Sequence, residues 1–237
     1  MNTNLAREEV MDDVNQSVYI LSNTTSTEYK KLQEKQSVYK YIKRIMDVIL
    51  ASMALVILSP VFFIIALAIK LESKGPVFFK HTRIGKDGKI IKLYKFRSMV
   101  TNAEELIKSF TPEQMKEYKE NYKLTNDPRI TKVGKFLRKT SLDELPQLLN
   151  IIKGDLAVIG PRPVVAEELK KYGTNIERFL SVTPGLTGYW AANGRSCTTY
   201  EQRMQMELFY IDNMSFKMDA KVFFKTIEAV IKREGAI

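Results

Sequence analysis

The most informative segment of this chain is IMDVILASMALVILSPVFFIIALAIKL, residues 45–71. No charged residue occurs between Val48 and Ile69, and an apolar run of that length is typical of a transmembrane helix. Ser59 and Pro60 lie near its centre, however, and an internal proline removes one helical hydrogen bond and crowds the preceding turn. Each half, of about 12–15 residues, would be roughly 18–22 Å long, too short to cross a hydrocarbon core of about 30 Å.

Two membrane arrangements therefore fit these residues. A re-entrant helix would enter the bilayer, bend at Ser59-Pro60 and leave on the same side, with the Ser59 hydroxyl bonding a backbone group that Pro60 frees. A single-pass helix with a proline kink is the alternative. The flanking charges do not choose between them, because six basic residues (30–44) precede the run and five (70–86) follow it. A wholly buried core helix is the least favoured interpretation, given the length.

The totals restrict the class of protein. The 237 residues can hold one domain, or one domain with appendages, and the formal net charge is +10. Residues 1–28 carry five acids against one base, so the rest of the chain is strongly basic and favours phosphate-rich partners: nucleic acid, an anionic membrane or phosphorylated substrates. The single Cys197 excludes an intrachain disulfide, and the single His81 argues against a histidine zinc site or a Ser-His triad. Any chemistry should therefore rest on carboxylates.

Local patterns predict a mostly helical α+β fold. Residues 75–99 indicate a hairpin, because two β-rich runs flank a Lys-Asp-Gly-Lys turn. Residues 102–123 have helical apolar spacing, with Pro112 restarting the helix at its first position. We expect a short helix around residues 163–172 and a last helix over roughly 217–234, with its apolar stripe towards either the core or a membrane surface. That stripe consists of Met218, Val222, Phe223, Ile227, Val230 and Ile231.

Two carboxylates, Asp143 and Glu144, stand side by side just ahead of an apolar helical stretch. Ser141 and Glu144 fit the S-x-x-E capping box, and acids suit the positive end of a helix. Capping explains one carboxylate well and the second only loosely. Further charges cluster nearby in the sequence: Arg129, Lys132, Lys135, Arg138, Lys139, Asp155 and Arg162.

This charged stretch has two interpretations. A surface salt-bridge cluster would account for any one of the charges. Together they resemble a phosphoryl-transfer site, in which arginines and a divalent metal hold phosphates while a carboxylate attacks phosphorus or binds the metal. The chain has neither a G-x-x-x-x-G-K-[ST] loop nor a G-x-G-x-x-G after a strand, so the common nucleotide motifs are not indicated.

Four segments resemble the bacterial sugar transferases, the monotopic phosphoglycosyl transferases that prime capsule, exopolysaccharide and glycoprotein assembly. They are SPVFF (59–63), KFRSM (95–99), TNDPRITKVGKFLRKTSLDELPQLLNIIKGDLAVIGPRP (125–163) and TPGLTGYWAANGR (183–195). The resemblance runs from about residue 38 to the C-terminus and is to the compact form of the family. It implies a re-entrant membrane helix over 39–72 and a cytoplasmic catalytic domain with amphipathic interfacial helices over 73–237. Residues 1–38 are polar, locally acidic and rich in Ser, Thr and Asn, a composition that predicts a flexible N-terminal tail.

The resemblance also implies the reaction, at the bacterial inner membrane. A sugar phosphate would pass from a UDP-sugar to a polyprenyl phosphate, such as undecaprenyl phosphate, with release of UMP. Asp143 would attack the β-phosphorus, Glu144 would assist by positioning or proton transfer, and Mg²⁺ would neutralise the diphosphate with Asp143 and Asp155 as ligands. The substrate-binding positions that the resemblance implies are Lys95, Arg97, Arg129, Arg138, Pro161, Arg162, Pro163, Asn193 and Arg195. Homodimers are compatible with the family, although no residue pattern here indicates one.

The chain departs from the family at one place. Many relatives have Gln-Val before Asn-Gly-Arg, where this chain has Ala191-Ala192, so the sugar preference cannot be carried over. A rival hypothesis is a non-enzymatic, membrane-anchored basic adaptor that binds anionic lipid or nucleic acid. It leaves Asp143, Glu144 and Asp155 unexplained, since acids in a phosphate-binding surface oppose binding without a metal. No nucleic-acid partner is therefore expected.

Overall fold

The computed structural model describes residues 37–121, 124, 126–194 and 198–232. Residues 1–36 of the predicted tail lie outside this range. The described part is mostly helical with small sheets, as predicted. Its α-helices are α1 (Ser37–Glu72), α2 (Ala103–Leu106), α3 (Pro112–Asn121), α4 (Lys132–Thr140), α5 (Leu148–Lys153), α6 (Ala166–Leu169), α7 (Ile176–Leu180), α8 (Tyr189–Asn193), α9 (Tyr200–Asp212) and α10 (Phe216–Lys232). Its strands are β1 (Phe78–Ile84), β2 (Ile90–Phe96), β3 (Ala157–Ile159) and β4 (Gly185–Thr187).

Helix α1 continues through Pro60, so the bend predicted at Ser59-Pro60 does not divide it into two helices. The Ser59 hydroxyl donates a hydrogen bond of 2.8 Å to the carbonyl oxygen of Val56. In a regular helix that oxygen would accept from the N–H of residue 60, which proline lacks. The predicted role of the Ser59 hydroxyl is confirmed, and it explains how the helix passes a proline.

One side of α1 packs on the rest of the protein along almost its whole length. Ala51, in the N-terminal half, is buried in a cluster with apolar residues of β2 and α5. Ile65 and Ile69, in the C-terminal half, are buried against Phe96 and Leu137. Both halves of the apolar run thus contact the same body.

Polar contacts hold α1 near both ends. The Arg44 guanidinium donates to the carbonyl oxygens of Ile151 (2.5 Å) and Ile152 (2.9 Å), at the C-terminal end of α5. Near the other end, a Glu72 carboxylate oxygen accepts from the N–H of Lys132 at 2.7 Å. A cation at a helix C-terminus and an anion at a helix N-terminus are both favourable, because they bond unpaired backbone groups and complement the helix dipole.

The opposite side of α1 exposes a continuous apolar surface. Its exposed large side chains are Val38, Tyr41, Ile42, Ile45, Met46, Ile49, Leu50, Met53, Val56, Ile57, Phe63, Ile64, Leu67 and Leu71. In the described part of the chain, α1 is the one helix long and apolar enough to cross a membrane. Soluble monomers rarely expose so large a contiguous apolar patch, so this face requires a cover.

The predicted hairpin over residues 75–99 is confirmed. Strands β1 and β2 pair antiparallel, with Phe78 opposite Phe96. Asp87 and Gly88 form the turn with φ values of 55° and 75°. Aspartate and glycine tolerate this left-handed region, which explains the turn sequence.

Helix α3 follows the prediction, and the helix expected around residues 163–172 follows it in part. Pro112 is the first residue of α3, as expected for a helix that restarts there. Thr111 and Gln114 cap it reciprocally, with each side-chain oxygen accepting from the other's backbone N–H (3.2 and 3.0 Å). The helix expected around residues 163–172 is shorter, because α6 gives way to a 3₁₀ helix over Lys170–Asn175.

A short parallel pairing that the sequence did not indicate organises the second half of the chain. Ala157 of β3 pairs with Gly185 of β4, and Ile159 pairs with Thr187. A Cβ atom on Gly185 would lie 2.1 Å from the backbone nitrogen of Gly160, so glycine is required for this approach. The loop that follows β3 is thereby held beside the end of β4.

Helix α10 exposes one apolar edge and buries another. Val222 and Ala229 are buried in the protein, whereas Phe223, Phe224 and Ile227 are exposed. The core-facing alternative for this helix is thus confirmed for one edge only. The side chains of residues 230 and 231, also in the predicted stripe, lie outside the described set.

Asp219 ties α10 to the start of α1. Its Oδ2 accepts from the Tyr39 hydroxyl and from Lys43 Nζ, each at 2.7 Å. Its Oδ1 lies 2.6 Å from the Tyr210 hydroxyl, which is also 3.2 Å from the carbonyl oxygen of Ile159. The Asp219 carboxylate therefore connects α1, α9 and α10, and the Tyr210 hydroxyl extends this connection to β3.

Candidate active site

The carboxylate pair lies at a sharp change of chain direction. Helix α4 ends at Thr140, and Ser141 follows with a left-handed φ of 58°. Asp143 and Glu144 then belong to the first turn of a 3₁₀ helix over Leu142–Gln147. The Ser141 side chain makes no capping hydrogen bond, so the capping-box interpretation of Ser141 and Glu144 is wrong. With Ser141 in the left-handed conformation, the residue ends one helix rather than capping the next.

Lys95 binds both carboxylates. Its Nζ donates to Glu144 Oε1 at 2.6 Å and lies 3.9 Å from Asp143 Oδ2. Burial raises the pKa of Asp143 to about 6, while Lys95 opposes the rise and Glu144 adds to it. Burial alone would also raise the pKa of Glu144, but the charges of Lys95 and Arg162 hold it below its usual value. The pair therefore combines an ionised Glu144 with an Asp143 that titrates close to neutral pH.

Arg138 supports Asp143 from the other side. Its charge lowers the pKa of Asp143, and its Nε donates to the Ser98 hydroxyl at 2.9 Å. A Cβ atom on Gly134 would lie 2.0 Å from the Ser98 carbonyl oxygen. Helix α4 can therefore reach this position only with glycine at residue 134. The predicted site residues Lys95, Arg138, Asp143 and Glu144 are thus brought together.

A cleft opens beside the pair. Its volume is about 460 Å³ when the part open to solvent is included. Glu144 and Lys95 line it on one side, and Arg162 and Pro163 come from the loop after β3. The loop is anchored through Pro161, whose carbonyl oxygen accepts from the N–H of Gly185 at 2.9 Å. The remaining lining residues are Arg83, Leu93, Gln147, Gly185, Leu186, Thr187, Gly188, Trp190, Ala191 and Glu207. The cleft therefore joins three cationic side chains to one carboxylate of the pair and an aromatic ring.

Two predicted binding residues have structural partners instead. Arg97 donates to the carbonyl oxygens of Ser73 (2.8 Å) and Lys74 (2.7 Å), just after α1 ends. Arg129 forms a two-pronged ion pair with Asp127, at 2.8 and 2.6 Å. Neither arginine lines the cleft, so these contacts support the fold around the site rather than a direct role in binding.

Three further predicted residues lie away from the cleft or outside the described range. Asp155 Oδ2 accepts from Asn150 Nδ2 at 3.0 Å, and Asn150 in turn bonds the backbone of β2. Asn193 accepts from Lys225 Nζ at 2.7 Å and donates to a carbonyl one turn earlier. Arg195 is outside the described residues, so its predicted role stays a prediction.

The sequence did not indicate a second group of charges at the cleft. Arg83 donates to Glu168 at 3.2 Å, and Arg203 donates to the other oxygen of the same carboxylate at 3.3 Å. Glu207 is 1% exposed and accepts from the backbone N–H of Arg162 at 3.1 Å. The spacing of Arg203 and Glu207, four residues apart on a helix, was the available signal, but it is equally typical of a surface ion pair.

The carboxylates near the cleft can be compared with the ligands that a magnesium ion requires. Mg²⁺ in proteins is usually held by one or two carboxylates, with substrate phosphates and water completing its shell. Asp143 and Glu144 fit such a shared site, although the described residues contain no group of three metal-binding side chains. Asp155, the second predicted ligand, is bonded to Asn150 and is joined to the pair by none of the described contacts.

A cleft lined by three cationic side chains beside a buried carboxylate pair suits anionic, phosphate-bearing ligands, and the exposed apolar face of α1 is compatible with a membrane surface. The chain belongs to the bacterial sugar transferase family, whose model matches residues 38–233.

Curated relatives agree with this assignment. The chain is 40% identical over 200 residues to the undecaprenyl-phosphate galactose phosphotransferase of Salmonella typhimurium, covering 83% of this chain and 42% of the relative. It is 41% identical over 199 residues to the UDP-glucose:undecaprenyl-phosphate glucose-1-phosphate transferase of Escherichia coli, covering 80% and 40%. It is 44% identical over 197 residues to the exopolysaccharide production protein ExoY of Rhizobium meliloti, covering 82% and 87%. The chain thus spans less than half the length of some curated relatives and most of the length of others.

Proposed function

We propose that this protein transfers a sugar phosphate from a UDP-sugar to undecaprenyl phosphate, releasing UMP, as the first membrane step of exopolysaccharide or capsule assembly. The observation that carries the proposal is the Asp143-Glu144 pair, bound by Lys95 at the edge of a cationic cleft. The names of two relatives support the proposal, because both contain undecaprenyl phosphate and one contains the donor UDP-glucose.

The proposed reaction has two displacements at one phosphorus atom. A carboxylate oxygen of Asp143 attacks the β-phosphorus of the donor, the bond from that phosphorus to the bridging oxygen breaks, and UMP leaves with the electron pair. A phosphate oxygen of undecaprenyl phosphate then attacks the same phosphorus, and the Asp143 carboxylate leaves. Each step forms one P–O bond and breaks one, so no oxidant or further reactant is needed.

The environment of Asp143 supports this role. With its pKa raised to about 6 by burial, Asp143 is mostly ionised at neutral pH and is held in a poorly solvated place, which suits a nucleophile. Lys95, Arg83 and Arg162 would bind the diphosphate oxygens, because guanidinium and ammonium groups pair well with phosphate. Mg²⁺, held by Asp143 and the donor phosphates, would neutralise charge on the diphosphate.

The acceptor is a membrane lipid, so its phosphate stays at the bilayer surface. We propose that α1 is re-entrant and that the exposed edge of α10 lies in the same surface, with the body on the cytoplasmic side. The packing of α1 supports this arrangement. A spanning helix needs about 20 residues in lipid, whereas α1 contacts the body from Arg44 through Ala51 and Ile65 to Glu72.

Topology can be tested with single cysteines in a Cys197→Ser background. Cysteines at Lys40 and Lys74, one on each side of the apolar run, should both react with an impermeant maleimide in inverted membrane vesicles and neither in spheroplasts. Labelling of the two positions from opposite sides would establish a single-pass helix and overturn the re-entrant proposal.

Activity can be tested by measuring UMP release in nanodiscs with undecaprenyl phosphate, Mg²⁺ and a panel of UDP-sugars. We expect release with at least one donor, dependence on the lipid, and loss of turnover in Asp143→Asn. Asp87→Asn is the matched control, because it makes the same chemical change in the exposed hairpin turn. Folded protein that releases no UMP from any donor, yet binds anionic vesicles with a steep salt dependence, would favour the basic-adaptor alternative.

A further inference from the structure

The lining of the cleft includes a buried carboxylate with only one of its two oxygens hydrogen-bonded among the described residues. Glu207 lines the cleft, and its Oε1 accepts from the Arg162 backbone. Its Oε2 is buried without a hydrogen-bond partner among the described residues. A Cβ atom built on Gly188, which also lines the cleft, would lie 3.9 Å from that oxygen, so Oε2 is next to the cleft wall.

A guanidinium with free donors lies one helical turn away. Arg203 is 7% exposed and donates one hydrogen bond, from Nη1 to Glu168. Its guanidinium lies over the rings of Trp190 (4.8 Å) and Tyr200 (5.1 Å), counted to the ring centres. Its Nε and Nη2 are buried without partners among the described residues.

The hydroxyl of Tyr172 completes this corner. It too is buried without a hydrogen-bond partner within the described part of the chain. The centre of the Tyr172 ring lies 6.4 Å from that of Tyr200, the ring that the Arg203 guanidinium also contacts. Unpaired buried polar atoms destabilise a folded protein, and several in one place indicate that something binds there.

The mixture of groups restricts what can bind. A phosphate would meet the Glu207 carboxylate, and an apolar group would leave every donor and acceptor unpaired. A hydroxyl group both donates and accepts, so it can satisfy the carboxylate and the guanidinium together. Phosphate, in contrast, is suited to the cationic side chains that line the cleft, Arg83, Lys95 and Arg162.

We propose that Arg203 and Glu207 form the sugar-recognition subsite of the cleft, in which Glu207 Oε2 accepts from a hydroxyl of the donor sugar and Arg203 donates to that oxygen or its neighbour. This inference rests on the proposed function and deepens it. The Arg203-Glu207 subsite selects the sugar, while the cationic residues of the cleft bind the part of the donor that all UDP-sugars share.

The test compares Glu207→Gln with wild type in nanodiscs. UMP release is measured with UDP-glucose, UDP-galactose, UDP-N-acetylglucosamine and UDP-N-acetylgalactosamine, and UDP binding is measured separately. We expect kcat/KM for the preferred donor to fall about 10- to 100-fold, as for a buried hydrogen-bonding group left without its partner. The ratio of kcat/KM for the preferred donor to kcat/KM for each other donor should fall by about 10-fold. The Kd for UDP should change by less than about 3-fold. Glu201→Gln makes the same change at the exposed start of the same helix and should resemble wild type.

Arg203→Lys provides a second variant if Glu207→Gln fails to fold, because it keeps the charge but removes the guanidinium donors; the same narrowing is expected. An equal fall in kcat/KM with every donor, or weaker UDP binding, would mean that the Arg203-Glu207 subsite holds only structural water. Either result would overturn the subsite and leave the proposed function standing. Wild-type protein that releases no UMP from any of the donors would overturn the proposed function and the subsite with it.

Discussion

Replacing Lys95 with methionine should move the pH dependence of the reaction to higher pH. Lys95 lies 3.9 Å from Asp143 and 2.6 Å from Glu144, and its charge favours the ionised form of both. Methionine has a similar shape without the charge, so the substitution removes this stabilisation with little change in packing. If Asp143 must be ionised to attack, the variant needs a higher pH to reach the same fraction of active protein.

The size of the effect follows from the distance. Coulomb's law at 3.9 Å, with an effective dielectric constant of about 20, gives about 4 kcal/mol between the two charges. One pKa unit corresponds to about 1.4 kcal/mol, which sets an upper bound of about 3 on the rise. The lysine side chain is 20% exposed and water would enter the vacated space, so we expect the pKa of Asp143 to rise by about 1–2.

The assay is kcat/KM for UMP release as a function of pH, which reports the groups that titrate in the free enzyme. Wild type should rise with a midpoint near pH 6, the pKa of Asp143, and Lys95→Met should rise about 1–2 pH units later. Lys92→Met is the matched control, because it removes an exposed lysine from the same strand and should keep the wild-type midpoint. A Lys95→Met profile that is uniformly lower but has its midpoint unchanged near pH 6 would refute the assignment of that titration to Asp143.

Three further predictions concern stability. Because the folded-state pKa of Asp143 is raised from 3.8 to about 6, its stabilising contribution is complete below pH 3.8 and is lost as the pH rises through 6. The free energy of unfolding of Asp143→Asn, followed in thermal melts, should therefore be about 2–3 kcal/mol above that of wild type at pH 8 and equal to it near pH 4. Equal melting temperatures at pH 8 would contradict the raised pKa. Ser59→Ala should lower the melting temperature in nanodiscs by leaving the Val56 carbonyl oxygen unpaired, at a cost of about 1–3 kcal/mol, and no difference from Ser52→Ala would contradict that role. Asp219→Asn should destabilise by about 1–3 kcal/mol, since it removes the charge that pairs with Lys43, whereas the exposed Asp212→Asn should cost less in the same melts; equal losses would contradict the special role of Asp219.

Features determined by neighbouring residues were predictable from the sequence. The hairpin turn at Asp87-Gly88 and the helix restart at Pro112 follow from the backbone preferences of those residues. The bond from Ser59 to the carbonyl freed by Pro60 follows from the chemistry of a proline in a helix. In each case the partner lies within four residues, so no tertiary information was required.

Features that depend on distant residues were predictable only in part. Arg97 was assigned to binding, but its donors are used by carbonyl groups after α1 that only the folded chain brings near. Arg203 and Glu207 were missed, because helical spacing cannot distinguish exposed residues of opposite charge from buried ones. Tyr210 of α9 packs with Ile159 of β3, and Glu207 of α9 accepts from the loop after β3, contacts that no local pattern indicated.

The central claim is that Asp143 carries the sugar phosphate during turnover. It is tested most directly by intact-protein mass spectrometry after the protein is incubated with its UDP-sugar and Mg²⁺ in the absence of undecaprenyl phosphate. We expect a mass increase equal to one sugar phosphate, its loss when undecaprenyl phosphate is added, and no increase in Asp143→Asn. Wild-type turnover without any such adduct, together with UMP release by Asp143→Asn at the wild-type rate, would contradict it.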